Sequence, residues 1–257
     1  MATAIETTKL PTIAKTASWV ERRIHSALSE ERARTNLKKF GRLALSQIGK
    51  CERSLWAGIN GELAERVIDG RIHVLFDLGN AIEGHIVNLL RKADFEVQDV
   101  DPETGEQFRI TGFGEKVSGR LDGLIRFKRS QHITDDWALL EVKSANAKKF
   151  EELLTVGRYA DWNAVYGDQV QIYMGRKNLS QALVVVECKD DSRLYVEIID
   201  FDPERFRDLW TKAERIVNAT VAPERPAAAK SQYCGFCKWC DNNKWCWGPM
   251  VGVSFDD

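Results

Sequence analysis

The sequence lacks any apolar run approaching the ~18–20 residues that a membrane-spanning helix needs. Its first residues, MATAIETTKLPTIAKTASW, lack the continuous apolar core of a secretory signal. Net charge is scarce as well, because 37 Lys and Arg against 38 Asp and Glu leave −1. A global electrostatic attraction to nucleic acid is thereby excluded, and any such binding must use a local basic patch. Cysteine is nearly absent from most of the chain, with only Cys51 and Cys188 before residue 234. Neither an internal repeat nor a low-complexity tract is present. What these absences leave is a cytoplasmic protein with no membrane partner, of ordinary globular composition. At 257 residues it can form one large domain or two small ones.

What is present gathers first at the end of the chain. The stretch YCGFCKWCDNNKWCW holds Cys234, Cys237, Cys240 and Cys246. In a reducing compartment such a group favours a metal or redox site over disulfides. Zinc held by these four thiolates is one reading. However, zinc sites usually pair two well-separated C-x2-C knuckles, and this spacing does not.

The rest of the chain alternates in texture. Apolar spacing predicts an amphipathic helix from Ala17 to about Lys39, a short helical stretch around Cys51, and a clear helix over 74–95 with Ile82, Ile86, Leu89 and Leu90 on one face. Short strand-like segments follow, ending in WALLEVKSA. Residues 147–180 are helical in pattern, 182–189 and 194–201 read as strands, and a helix opens at Pro203 with Asp202 as its N-cap. The order fits one α/β domain with helical decoration.

Three pieces carry chemistry. In SGRLDGLI, Asp122 lies in a strand context, although Asp-Gly is also a common turn signal. In LLEVKSAN, Glu141 and Lys143 are two apart, so a strand projects both to one face and turns Leu140 and Val142 to the other. Two carboxylates and a lysine brought together can hold a hard divalent cation by their oxygens and act on a phosphodiester. A solvated cross-strand pair is the plainer alternative. In YGDQVQIYMG, Gln169 and Tyr173 share one helix face.

In this order, SGRLDG, LLEVKSAN and DQVQIYM resemble the motif series of the PD-(D/E)XK nucleases, in the RecB-like branch. The resemblance covers roughly residues 46–247. It implies an α/β fold with a restriction-endonuclease-like core, a mixed central sheet flanked by helices. It also implies an iron–sulfur-stapled helical subdomain. Boundaries follow as a helical N-terminal region over 1–60, a nuclease core over 61–225 and a cysteine segment over 226–257. The implied activity is a Mg²⁺- or Mn²⁺-dependent deoxyribonuclease, an exonuclease of DNA recombination, repair or phage replication. Asp122, Glu141, Lys143, Gln169 and Tyr173 take the catalytic roles, and Glu83, Asp122, Glu141 and the Val142 carbonyl hold the metal. Glu83 follows Gly79 by four, as the branch's upstream metal residue does. His85, two residues further, turns about 200° away on a helix. A subset of the branch, CRISPR-associated members included, binds a [4Fe–4S] cluster with one upstream and three C-terminal cysteines spaced C-x2-C-x5-C. Cys51, Cys237, Cys240 and Cys246 match that set, which leaves Cys234 extra and Cys188 a small buried residue. The alternative cofactor is Zn²⁺.

The implied partner is DNA with single-stranded ends or segments, together with a recombination or replication protein. The alternative function is a non-catalytic nucleic-acid-binding adaptor with a structural metal cluster. Basic and aromatic residues interleave at Arg53, Trp56, Lys238, Trp239, Lys244, Trp245 and Trp247, where they can stack bases or shield the cluster. The basic stretch over 31–42 can track phosphates or form a solvated helix face.

Overall fold

The computed structural model describes residues 19–31, 41–61, 70–126 and 136–248. Two compact units divide the chain: Met1–Lys39 with Glu65–Asn80, and Phe40–Ala64 with Ala81–Asp257. In the first, residues 19–31 form helix α1. Gly70 approaches it so closely that a Cβ there would lie 2.3 Å from the His25 carbonyl oxygen. Expected helix residues 32–39, and the basic stretch up to residue 40, lie outside the described residues.

The second unit carries two sheets. The larger has five strands in the order β2 (Glu96–Gln98), β5 (Gly123–Arg126), β6 (Ala138–Ala145), β7 (Gln181–Cys188) and β8 (Leu194–Asp200). Strands β6 and β7 run parallel and the other neighbours antiparallel, so the sheet is mixed. A parallel pair needs a long crossover. Here α4 (Ala147–Val156), α5 (Tyr159–Trp162) and α6 (Ala164–Lys177) supply it. The smaller sheet joins β1 (Leu43–Ala44), β4 (Val117–Arg120) and β3 (Arg109–Gly112). Helix α2 covers Glu52–Ile59, α3 Gly70–Lys92, α7 Pro203–Asn218 and α8 Asn243–Trp247.

Alternation along β6 and β7 splits the core in two. Leu139, Ala182, Val184 and Val186 join Phe150, Val170, Ile172 and Leu209 on the side of α4, α6 and α7. Leu140, Val142, Leu183 and Val185 pack with Ile82, Ile86 and Val87 of α3. Both strands therefore read as continuous apolar runs, as strands buried on both faces do. Helix α3 starts four residues before the expected 74 and ends at Lys92, and Leu89 is exposed rather than buried with its expected neighbours. Asp202 caps α7 as its position suggests, accepting from the N–H groups of Glu204 and Arg205 at 3.0 and 2.9 Å. Cys188 is fully buried.

Candidate active site and cysteine cavity

Register builds the acidic site. Gly123 pairs with Leu140 across β5 and β6, so Asp122 and Glu141 come opposite one another where that ladder ends. Asp122 lies just outside the strand, between β4 and β5. The Val142 N–H donates to its Oδ2 at 2.8 Å. Neither glycine of SGRLDG marks a turn. A Cβ at Gly123 would stand 2.9 Å from the Gln98 carbonyl oxygen, and one at Gly119 would stand 2.8 Å from the Tyr173 ring. The first glycine makes room for α6 and the second for β2.

Glu141 is fully buried. Its Oε1 accepts from Gln169 Nε2 at 2.8 Å and from the Lys143 ammonium in a very close ion pair. Its Oε2 is buried with no hydrogen-bond partner among the described residues. The Lys143 ammonium lies over the Tyr166 ring, 5.5 Å from its centroid. Gln169 therefore holds the glutamate directly. Tyr173, one turn on, is buried across Gly119, and its hydroxyl meets the Arg120 backbone rather than either acid or Lys143.

Electrostatics single out the same groups. Burial pushes the Glu141 carboxyl up to about 7 against the pull of Lys143. Burial, then the Asp122 charge, raises half-buried Glu83 to about 7. Asp122 is raised by burial too, while for Lys143 burial pulls down but Glu141 and Asp122 together outweigh it and hold the ammonium well above its ordinary range. Three carboxyls thus resist ionising together, which is the condition a cation relieves. With the orphaned Glu141 oxygen, this donor set fits a hard divalent ion. Among the described residues, no three His, Cys, Asp or Glu side chains gather closely enough to cage an ion by themselves. Here Lys143 sits where a cation would compete for Glu141. His85, two residues after Glu83, is exposed.

The cysteines collect elsewhere in the same unit. Cys51, Cys237, Cys240 and Cys246 all line one cavity of about 270 Å³, and Cys234 does not. Helix α2, which Cys51 precedes, is tied to the end of the chain by side chains. Asn242 Nδ2 donates to the Ser54 carbonyl at 2.6 Å, Trp56 Nε1 to the Ala219 carbonyl at 2.9 Å, and Arg53 to the Pro223 carbonyl at 2.7 Å. The Cys240 thiol meets Ser54 Oγ at 3.5 Å, and Arg225 Nε reaches Cys246 Sγ at 3.4 Å. No cysteine is in a disulfide. Cys234 contacts the Cys237 thiol, and backbone N–H groups, that of Ser231 first, draw it down to about 7.

The tryptophans separate into two kinds. Trp56 and Trp245 stack at 6.2 Å, Arg53 covers Trp245 and Arg225 covers Trp247; of the tryptophans, Trp239, Trp245 and Trp247 line the cavity. Trp239 is 82% exposed, with the Lys238 ammonium 5.1 Å from its ring centroid. Upstream, Arg42 pairs with Glu115 at 2.7 Å.

Sequence reasoning passed over the aromatic group around Lys143. Tyr159 and Tyr166 stack with centroids 5.9 Å apart, and Trp162 packs against both. Their spacing of three and four residues in RYADWNAVY was the available signal.

No helix among the described residues is long and apolar enough to cross a membrane. No protein-family model matches the chain, and no curated protein matches it. Among solved structures it is similar to SSO0001, at 16% identity and TM-score 0.49, over 88% of this chain and 96% of that one. The alkaline exonuclease LHK-Exo from Laribacter hongkongensis matches at 16% identity and TM-score 0.49, over 70% of this chain and 87% of its own. The same exonuclease solved in complex with dAMP matches at 16% identity and TM-score 0.50, over 69% of this chain and 87% of that one. With that structure the chain shares its mixed α/β fold.

Proposed function

We propose that this chain is a divalent-metal-dependent DNA nuclease of the PD-(D/E)XK superfamily, an exonuclease acting at DNA ends in recombination, repair or phage replication. The observation that carries the reading is the fully buried Glu141, with one oxygen shared by Lys143 and Gln169 and the other unpartnered, opposite Asp122. A fully buried carboxylate oxygen without a partner is costly, and a cation at this site would satisfy it. The fold shared with the dAMP-bound exonuclease agrees with the reading.

Glu83, Asp122, Glu141 and the Val142 carbonyl would hold Mg²⁺ or Mn²⁺. When bound, the ion supplies an acidified water and neutralises charge on the phosphate. The protein's own part is positioning. Gln169 orients Glu141 by its amide N–H, the Val142 N–H fixes Asp122, and Lys143 presents an ammonium to the attacking water or the charge that develops at phosphorus. Tyr173 seats α6 on β4, which sets the height of Gln169.

The cavity lined by Cys51, Cys237, Cys240 and Cys246 suits a [4Fe–4S] cluster, which takes four thiolates. Such a cluster would staple residue 51 to the chain end. The Cys234–Cys237 contact favours a second reading, zinc on the four C-terminal cysteines.

End-labelled linear DNA, single- and double-stranded, compared with closed circles in the presence of Mn²⁺ or Mg²⁺, tests the function. Asp122→Ala and Lys143→Ala should each lower cleavage by about 10³-fold or more while circular dichroism stays unchanged. Full cleavage by both variants would sink the reading. DNA binding without cleavage by the wild type would instead favour the adaptor.

A further inference from the structure

Tyr159 opens α5 and is fully buried. Its backbone N–H donates to Glu197 Oε2 at 2.7 Å, and the Tyr195 hydroxyl donates to the same oxygen at 2.6 Å. Its ring packs against Trp162 and stacks on Tyr166 with planes 21° apart, and those two rings also touch each other. Backbone and ring are therefore fixed. The hydroxyl is not: its oxygen is buried without a hydrogen-bond partner among the described residues. An unsatisfied buried hydroxyl carries its full desolvation cost, and phenylalanine would fill the same space without it. A tyrosine that only packed would gain nothing from its oxygen.

The surroundings indicate what that oxygen serves. Tyr166, on which Tyr159 stacks, carries the Lys143 ammonium over its face. Burial acts first on the Tyr159 hydroxyl and pushes its pKa up, followed by Glu141, Lys143, Tyr166 and Asp122, so the hydroxyl lies within the field of the acidic site. In this arrangement Lys143 is committed to Glu141 Oε1, with the Val142 carbonyl at 3.5 Å as a distant second acceptor.

We infer that Tyr159 is a positioning residue of this site, whose hydroxyl accepts a hydrogen bond from the Lys143 ammonium once Glu141 turns its carboxylate to a divalent cation. The inference rests on the nuclease reading. An ammonium has three donors and no acceptor of its own. When Glu141 serves a cation, the close ion pair loosens, and Lys143 needs a neutral, fixed acceptor in a buried site. Tyr159 offers one, with Tyr166 as the wall that keeps the side chain from swinging away. The hydroxyl has no partner while Lys143 serves Glu141, and it gains one when Glu141 turns to a cation.

The test compares wild type with Tyr159→Phe in the full chain, using Ca²⁺ and Mn²⁺ as probes. Without divalent ions, the thermal midpoint of Tyr159→Phe should equal or exceed that of wild type. With Ca²⁺, the variant should gain less stability, corresponding to about tenfold weaker cation binding, because losing a hydrogen bond to a charged group weakens the ion-bound state. With Mn²⁺, kcat on end-labelled DNA should fall about 10–100-fold, with KM for DNA within about twofold. A lower midpoint without divalent ions would show that the hydroxyl is already bonded in the resting protein, to a trapped water for example, and would overturn the assignment. Unchanged Ca²⁺ binding and unchanged kcat would overturn it as well. If wild type itself neither binds Ca²⁺ nor cuts DNA, the nuclease reading falls with it; if wild type does both and the variant matches it, the role of Tyr159 alone falls.

Discussion

At the acidic site, regular backbone delivers the groups. Asp122 and Glu141 meet through the register of β5 and β6, and Gln169 reaches Glu141 from α6. Around the cysteine cavity little regular backbone is involved. Cys51 precedes α2, Cys237 lies in a turn, Cys240 in irregular backbone and Cys246 in the five-residue α8, and side chains such as Asn242 and Arg53 bind the two stretches together. The first site is held by ladders that form whether or not an ion arrives. The second depends on a few long-range contacts that an inorganic centre would reinforce. Ligand loss should therefore act on chemistry at one site and on folding at the other.

The largest expected effect breaks the comparison at the cysteine end. If a cluster joins Cys51 to Cys246, it closes a loop of nearly two hundred residues, and by analogy with a cross-link its loss removes about 5 kcal/mol through the unfolded chain's entropy. Cys51→Ser should lose bound iron and the brown colour of the protein and lower its thermal midpoint, whereas Cys234→Ser should keep both. Metal analysis with thermal melts decides it. Colourless protein holding one zinc, lost in Cys234→Ser and retained in Cys51→Ser, would return the site to the four C-terminal cysteines.

The acidic end gives a smaller effect with a definite sign in pH. Glu83 has its folded pKa raised from 4.5 to about 7. A raised folded pKa means that the fold prefers the protonated carboxyl, so stability from this group is present below about 4.5 and is lost as pH rises through about 7. Wild type stripped of divalent ions should therefore be less stable at pH 8 than Glu83→Gln, by roughly 1–2 kcal/mol once solvent screening of a half-exposed group is allowed for. The two should be equal at acid pH, and Ca²⁺ should restore wild type but not the variant. Parallel curves of thermal midpoint against pH would contradict the crowding of carboxyls at this site.

Much of the acidic site was legible before the fold because its chemistry is written in short range. Glu141 and Lys143 are neighbours on a strand, Gln169 and Tyr173 on a helix, and the order of the pieces supplies the rest. The reasons for Gly119 and Gly123 were not legible, since each makes room for an element distant in sequence, the Tyr173 ring or the Gln98 carbonyl. Leu89 followed the helical pattern and still came out exposed, because periodicity gives a face but not how closely it is packed: Leu89 stands over an open cavity that Leu194 and Val196 of β8 also line. Tyr159 went unnoticed for the opposite reason. A buried tyrosine among aromatics looks like core until the fate of its oxygen is known.

One element belongs to both regions. On α6, Val165 lines the cysteine cavity, Tyr166 lies beneath the Lys143 ammonium and Gln169 holds Glu141. The helix is fixed by the residue between them: Asp168, buried, takes Arg205 of α7 in a two-pronged pair with both contacts at 2.7 Å. Gly49, another residue of the cavity wall, packs so tightly here that a Cβ would stand 2.7 Å from the Val165 Cα. Arg205→Ala leaves the Asp168 carboxylate buried without its guanidinium, at a cost of about 1–2 kcal/mol, reduced because Arg205 is itself half-exposed. If α6 is the common wall, this substitution, which touches neither acid nor thiol, should produce a modest loss of both cleavage rate and cluster retention at elevated temperature. A loss confined to one of the two would mean that the sites are set independently, with α6 yielding on one side only.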